Sequence, residues 1–166
     1  MRRRANSSFK KIFVLGAGSV GSSYGALLSA KNDVVLIGRK PHVQAVNERG
    51  LSIVGQVKGR FHLKSRTEVG NIPEESLIIL TTKAYDSAHT IESISNILRK
   101  DTVILVLQNG LGNEEIVKQA ARNRARVLRG ITKIAAEFLE PGRIRFWKGE
   151  TIIESDRSGA EIANLF

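Results

Sequence analysis

Apolar residues along the chain come in short unbroken runs separated by stretches of helical spacing, and that rhythm sets the expected architecture. "KIFVLG" (11–16) reads as a buried strand ending on glycine, "SVGSSYGALLSAK" (19–31) carries small and apolar residues at helical spacing, and "DVVLIG" (33–38) is a second apolar strand. Strand, helix, strand within about 30 residues is the βαβ unit of a parallel sheet. "PHVQAVNERG" (41–50) predicts a short helix with Pro41 near its start and Gly50 just past its end. "LSIVGQVKGRFHLKSR" (51–66) differs in kind: two short strand patterns around Gly55 and Gly59 predict a small antiparallel excursion.

The parallel rhythm resumes with "SLIILTTK" (76–83), a helix from about Tyr85 to Leu98, the strand "TVILVLQ" (102–108), a helix starting near Asn113 and the strand "RVLRGIT" (126–132). "GRIRFWKGETIIE" (142–154) reads as a hairpin or edge pair, with Arg143 and Arg145 alternating against Ile144 and Phe146. "SGAEIANLF" (158–166) opens with capping-box spacing, Ser158 to Glu161, and stops after one or two turns, too short to be self-supporting. The expected fold is α/β, a Rossmann-type, doubly wound, mostly parallel sheet with a small antiparallel excursion. Its expected divisions are a basic tail over 1–10, a dinucleotide-binding domain over 11–154 and the start of a helix over 155–166.

Composition agrees with one globular domain: 166 residues, 42% hydrophobic and 25% charged. The absence of cysteine removes disulfides and thiolate metal sites, and His42, His62 and His89 have no ligand spacing, so a cytoplasmic protein without structural metal is expected. The formal charge of +10 raises nucleic acid as a partner. Basic residues cluster in "MRRRANSSFKK" and in "KQAARNRARVLRGITK" (118–133), but aromatics are sparse and RNA-module signatures are missing, so nucleic-acid binding ranks last. The N-terminus mimics an export signal, but its apolar run is broken by Gly16, Gly18 and Gly21, and no run is long enough to span a membrane.

Those glycines carry the first candidate site. "GAGSVG" sets Gly16, Gly18 and Gly21, with Ala17, Ser19 and Val20 between them, in G-x-G-x-x-G register between the first strand and the first helix. The first glycine permits a tight turn, the second lets backbone approach a pyrophosphate, and the third lets helix pack close to strand. The helix N-terminus offers unpaired N–H groups to that anion. The second strand ends in "GRK", where a carboxylate would favour a free ribose 2′-hydroxyl; Arg39 and Lys40 stand there instead, and a guanidinium fork suits a 2′-phosphate, pointing to NADP(H).

The stretch "LIILTTKAYD" (77–86) puts a lysine where a buried strand must end. In a doubly wound sheet, ligands sit outside the carboxyl ends of the strands, so Lys83, and Asn109 after "VILVLQ", are expected on the same rim as the glycine loop. Taken singly, an Asn-Gly pair is also a common turn signal.

The ordered set "GAGSVG", "GRK", "TTKAYD", "LQNGLGNEE" and "RGITKIAAEFLEPGRIRF" resembles the N-terminal domain of the ketopantoate reductases (2-dehydropantoate 2-reductases), NADPH enzymes of pantothenate and coenzyme A synthesis. The resemblance covers nearly the whole chain after the tail. It implies that Arg39 holds the 2′-phosphate, that Lys83 and Asn109 lie at the nicotinamide end beside a 2-oxo acid substrate, and that Ala136 lines the cofactor. It also implies a following helical domain with the proton-donating lysine, not present in this sequence, so the chain alone is expected to be catalytically incomplete. Its last helix would lead to that domain or to a second copy. The alternatives carried forward are a non-catalytic dinucleotide-binding or sensing module and a basic nucleic-acid binder.

Overall fold

The structure, a computed structural model, describes residues 9–108, 110 and 112–166. β1 (Lys11–Leu15), α1 (Ser19–Ser29) and β2 (Val34–Ile37) form the expected unit, with β1 and β2 parallel and Ile12 opposite Val34. α2 (Lys40–Arg49) carries proline in its first turn and ends on Gly50 at φ +78°, a conformation that favours glycine. β6 (Ser76–Leu80) is buried throughout and lies parallel to β1 on the side opposite β2. A 3-10 turn (Ala84–Asp86), α3 (Ser87–Ile94) and a second 3-10 turn (Ser95–Ile97) fill the stretch predicted as one helix. β7 (Val103–Val106), α4 (Asn113–Ala120) and β8 (Arg126–Thr132) complete the parallel series.

Side chains alternate across the central strands and divide the interior in two. On one face Ile12, Val14, Leu77, Ile79 and Leu105 pack with Tyr24, Ala26 and Leu28 of α1. On the other, Phe13, Leu15, Ile78, Leu80 and Ile104 pack with Ile91 and Ile94 of α3 and Val117 of α4. Unbroken apolar runs such as "LIIL" follow from this: a strand covered on both faces has no polar side.

The remaining strands correct two expectations. β3 (Leu51–Gly55) and β4 (Gly59–Phe61) are antiparallel as predicted, but β5 (Lys64–Arg66) leaves them and joins the main sheet parallel to β2. β9 (Ala135–Glu140), not predicted, pairs antiparallel with β10 (Arg143–Trp147), which in turn lies parallel to β3. β11 (Thr151–Ile153) returns to the main sheet antiparallel to β8, so "GRIRFW" and "TIIE" are not partners. The result is a seven-stranded sheet, β11-β8-β7-β6-β1-β2-β5, and a four-stranded sheet, β4-β3-β10-β9. Leu51, Ile53, Ile144 and Phe146 of the smaller sheet face the α1 side of the core.

α5 (Arg157–Ala163) is capped by Asp156, whose carboxylate accepts the N–H of Gly159 at 2.7 Å. The helix starts one residue before Ser158, so the cap is Asp156 and not the predicted Ser158, and Glu161 accepts from Arg157 at 3.3 Å. Ile162 is fully buried, and Phe166 meets the Tyr24 ring edge-on at 5.3 Å while remaining 53% exposed. Among the described residues, no helix is long and apolar enough to cross a membrane, and no cluster could hold a metal ion.

Candidate functional site

β1 sits where the sheet reverses its order, with the following strand β2 on one side and β6 on the other. A crevice for ligands opens at such a switch point, outside the carboxyl ends. The three glycines meet three different demands there. Gly16 has φ +104°, and a β-carbon on it would lie 2.6 Å from the Thr82 nitrogen. A β-carbon on Gly21 would lie 2.1 Å from the Gly16 carbonyl oxygen and 2.4 Å from Thr81 Oγ1. Gly18 is exposed, has ordinary φ, and faces nothing within 4 Å. Two glycines are therefore required by packing, and the third fronts open space at the mouth of α1.

That helix mouth is prepared for an anion. No side chain caps it, and its first turn contains no acid. The N–H groups of Gly16 and Ala17 both donate to the Ile37 carbonyl, at 3.1 and 2.9 Å, fastening the loop to the end of β2. Gly38 sits so close that a β-carbon on it would be 2.3 Å from the Ala17 β-carbon. Arg39 follows directly, exposed, at the N-cap of α2, and its guanidinium has no protein partner among the described residues. The structure thus brings the glycine loop and Arg39 together.

Lys83 lies on the other flank. Thr81 ties the end of β6 to the glycine turn, its N–H donating to the Leu15 carbonyl at 2.9 Å and its hydroxyl to the Gly16 carbonyl at 2.9 Å. Two residues on, Lys83 is exposed, and its ammonium has no partner among the described residues. Tyr85, 82% exposed, is the neighbouring aromatic.

The backbone around Lys83 is held by a residue that sequence reading passed over. Gln108 Nε2 donates to the Thr82 carbonyl at 2.8 Å and to Thr82 Oγ1 at 2.9 Å, while its Oε1 accepts from Ser87 Oγ at 2.8 Å. One amide therefore clamps the loop after β6 to the end of β7. The only sequence signal for this was Gln108's position at the end of a buried run. Asn109 lies outside the described residues. A shallow depression lies beside Gln108, lined also by Gly110, Gly112 and Arg129.

Ala136 sits on β9 opposite Phe146, on the face of the smaller sheet turned towards α1. Tyr24 of α1 shares its hydroxyl with Thr132 and Thr151 at 2.7 and 2.6 Å, which anchors α1 to β8 and β11. Burial raises the Tyr24 pKa above its ordinary value, so this hydroxyl stays protonated. His42 on α2, one of the three histidines without ligand spacing, is buried and hydrogen-bonded through both ring nitrogens, to Ser22 Oγ and to the N–H of Gly142, each at 3.0 Å.

Residues 12–157 match the family model for ketopantoate reductase PanE/ApbA. A 2-dehydropantoate 2-reductase of Pyrococcus horikoshii is 42% identical over 86% of this chain and 46% of its own length, and one from Pyrococcus abyssi is 41% identical over 91% and 49%. The chain spans about half the length of the curated relatives it matches. Among solved structures, a PanE/ApbA family ketopantoate reductase from Ralstonia eutropha superposes with a TM-score of 0.84 at 28% identity, covering 93% of this chain and 52% of that one. D-mandelate dehydrogenase, solved with NADH and anilino(oxo)acetate, gives 0.78 at 30% identity over 93% and 52%.

Proposed function

The chain belongs to the ketopantoate reductase family PanE/ApbA, and on that premise we propose that it is the cofactor-binding part of a reductase that turns a 2-oxo acid, ketopantoate, into its 2-hydroxy acid with NADPH. The observation that carries this reading is the crevice at the switch point. A glycine loop leaves open space only at Gly18, before an uncapped helix, and is flanked by Arg39 on one side and Lys83 on the other, neither paired among the described residues.

The residues suit the group. Backbone N–H groups at Ser19 and Val20 would take the pyrophosphate over Gly18, whose own N–H donates to the Gly16 carbonyl at 2.7 Å; Arg39 would take the 2′-phosphate, and Ala136 would line the cofactor. When bound, the reduced nicotinamide would supply hydride to the carbonyl carbon, and the alkoxide left behind would take its proton from water at this exposed rim. Lys83 donates a hydrogen bond to the carbonyl oxygen and stabilises the negative charge that develops there. Asn109 is assigned to the same end by its place in the sequence. Being exposed, Lys83 works against water, and fixed dipoles lose most of their force in a wet site. The chain alone should therefore bind NADPH and turn over poorly. A protein without cysteine suits the cytoplasm, where we place this activity.

Titration with NADPH and NADH tests the cofactor, and NADPH oxidation in the presence of ketopantoate tests the substrate. Arg39→Ala should weaken NADPH binding by about 1.5–3 kcal/mol, the usual range for a charged hydrogen bond, and leave NADH binding unchanged. One observation favours a second reading, an NADH-linked reductase of another 2-oxo acid: a structural neighbour is a D-mandelate dehydrogenase solved with NADH. Equal affinity for both dinucleotides, with an indifferent Arg39→Ala variant, would select it.

A further inference from the structure

His42 is 3% exposed and joins three separate parts of the chain. Its Nδ1 accepts the backbone N–H of Gly142, in the turn between β9 and β10. A neutral ring that accepts at Nδ1 carries its proton on Nε2, so Nε2 donates to Ser22 Oγ in α1. Ser22 in turn donates its N–H to the Gly18 carbonyl at 2.9 Å, while the N–H of His42 donates to the Arg39 carbonyl at 3.1 Å. One imidazole thus spans the turn that presents Gly18 and the turn that presents Arg39, with Phe138 packed 5.0 Å from its centre.

We propose that His42 is a positioning residue: it sets the spacing between the glycine turn and Arg39, and its protonation, which makes Nδ1 a donor facing the N–H of Gly142, loosens that spacing and weakens binding of a 2′-phosphorylated dinucleotide. The inference rests on the dinucleotide reading of the site.

Among the described residues no carboxylate pairs with the ring to compensate an imidazolium. α1 has no charged side chain; α2 brings Arg39, Lys40, Glu48 and Arg49, all exposed. The β9–β10 hairpin brings Glu137, Glu140, Arg143 and Arg145, also exposed and paired Glu137 to Arg145 and Glu140 to Arg143. Burial accordingly pushes the His42 pKa below its ordinary value. The sign follows: the neutral ring's stabilisation is complete above the unfolded histidine value of about 6.5 and is lost as pH falls below it, and the folded ring takes its proton, weakening binding, as pH falls through its lowered folded value.

The test measures NADP⁺ and NAD⁺ affinity of the full chain, His42→Gln and His42→Phe from about pH 8 down to the lowest pH at which the original chain stays folded, about pH 4.5, because burial moves the His42 titration below the ordinary value of about 6.5. Glutamine offers an acceptor and a donor without titrating; phenylalanine offers neither. His42→Phe should lower the NADP⁺ over NAD⁺ preference about tenfold at neutral pH, the size of one charged contact misplaced. The original chain should lose more NADP⁺ affinity on acidification than His42→Gln, titration of the 2′-phosphate being common to both. A folded His42→Phe with unchanged preference overturns the proposal, and so do superimposable pH profiles for the original chain and His42→Gln. If His42→Phe fails to fold, those profiles decide. Failure of the original chain to bind either dinucleotide overturns the reading of the site itself, and this role with it.

Discussion

The two flanks of the crevice are built differently. Over β1 and β2 the chain is fixed by its backbone: Gly16, Gly21 and Gly38 allow contacts that no side chain would permit, and a buried histidine locks α1 to α2. Over β6 and β7 the candidate Lys83 is an exposed side chain on a loop, steadied by a single glutamine. On the proposed reading, the first flank would hold the dinucleotide in one pose and the second would meet the substrate with an exposed, solvated lysine. The comparison is between a corner set by backbone packing and a side chain held by one hydrogen-bonded loop.

The largest expected effect breaks the first flank. Gly21→Ala pushes a β-carbon into the Gly16 carbonyl and Thr81, and since backbone cannot yield cheaply, unfolding free energy by urea titration should drop by about 3 kcal/mol. A drop near zero would show that the loop is softer than its contacts imply. On the second flank, Gln108→Ala should cost about 1 kcal/mol in the same titration, because Thr82 can turn to water and buried Ser87 keeps the Lys83 carbonyl as an acceptor. Hydrogen exchange should speed up around Thr82 to Ser87 and not around the glycine loop; spread to the loop would mean the flanks are mechanically one. The smallest stability effect sharpens the comparison most. Gly18→Ala meets nothing within 4 Å, so stability should change by no more than about 0.5 kcal/mol, yet NADPH affinity should fall because the methyl group occupies the ligand's side of the turn. Unchanged affinity would remove Gly18 from the site.

What was legible in the sequence tracks how local its cause is. The glycine loop, the strands β1, β2, β6, β7 and β8 and the position of Lys83 follow from residue type and spacing over a few residues. Gln108 and His42 were missed because their partners lie about 20 or more residues away, and nothing in "VLQ" or "KPHV" announces them. β9 escaped because "AAEFLE" lies at a sheet edge, half exposed, without clean alternation. The cap of α5 was misplaced by two residues because Asp156 and Ser158 are both good caps, and the ion pair to Arg126 that secures Asp156 is a tertiary fact.

The smaller sheet is assembled from two insertions, and this gives the chain a timetable during synthesis. Ser52 pairs with Arg143, so β3 emerges from the ribosome about 90 residues before the strand that will cover its edge. At ordinary elongation rates that is roughly 5 to 20 seconds. Until then β3 and β4 form a lone hairpin, marginal in water, with Leu51 and Ile53 still without the Ile144 and Phe146 they later pack beside. The seven-stranded sheet meets no comparable delay in its central strands, because each of β1, β2, β6, β7 and β8 finds a parallel neighbour among strands already made or next to come. A nascent chain of this protein can therefore have its glycine-loop corner in place before the wall that carries Ala136 exists.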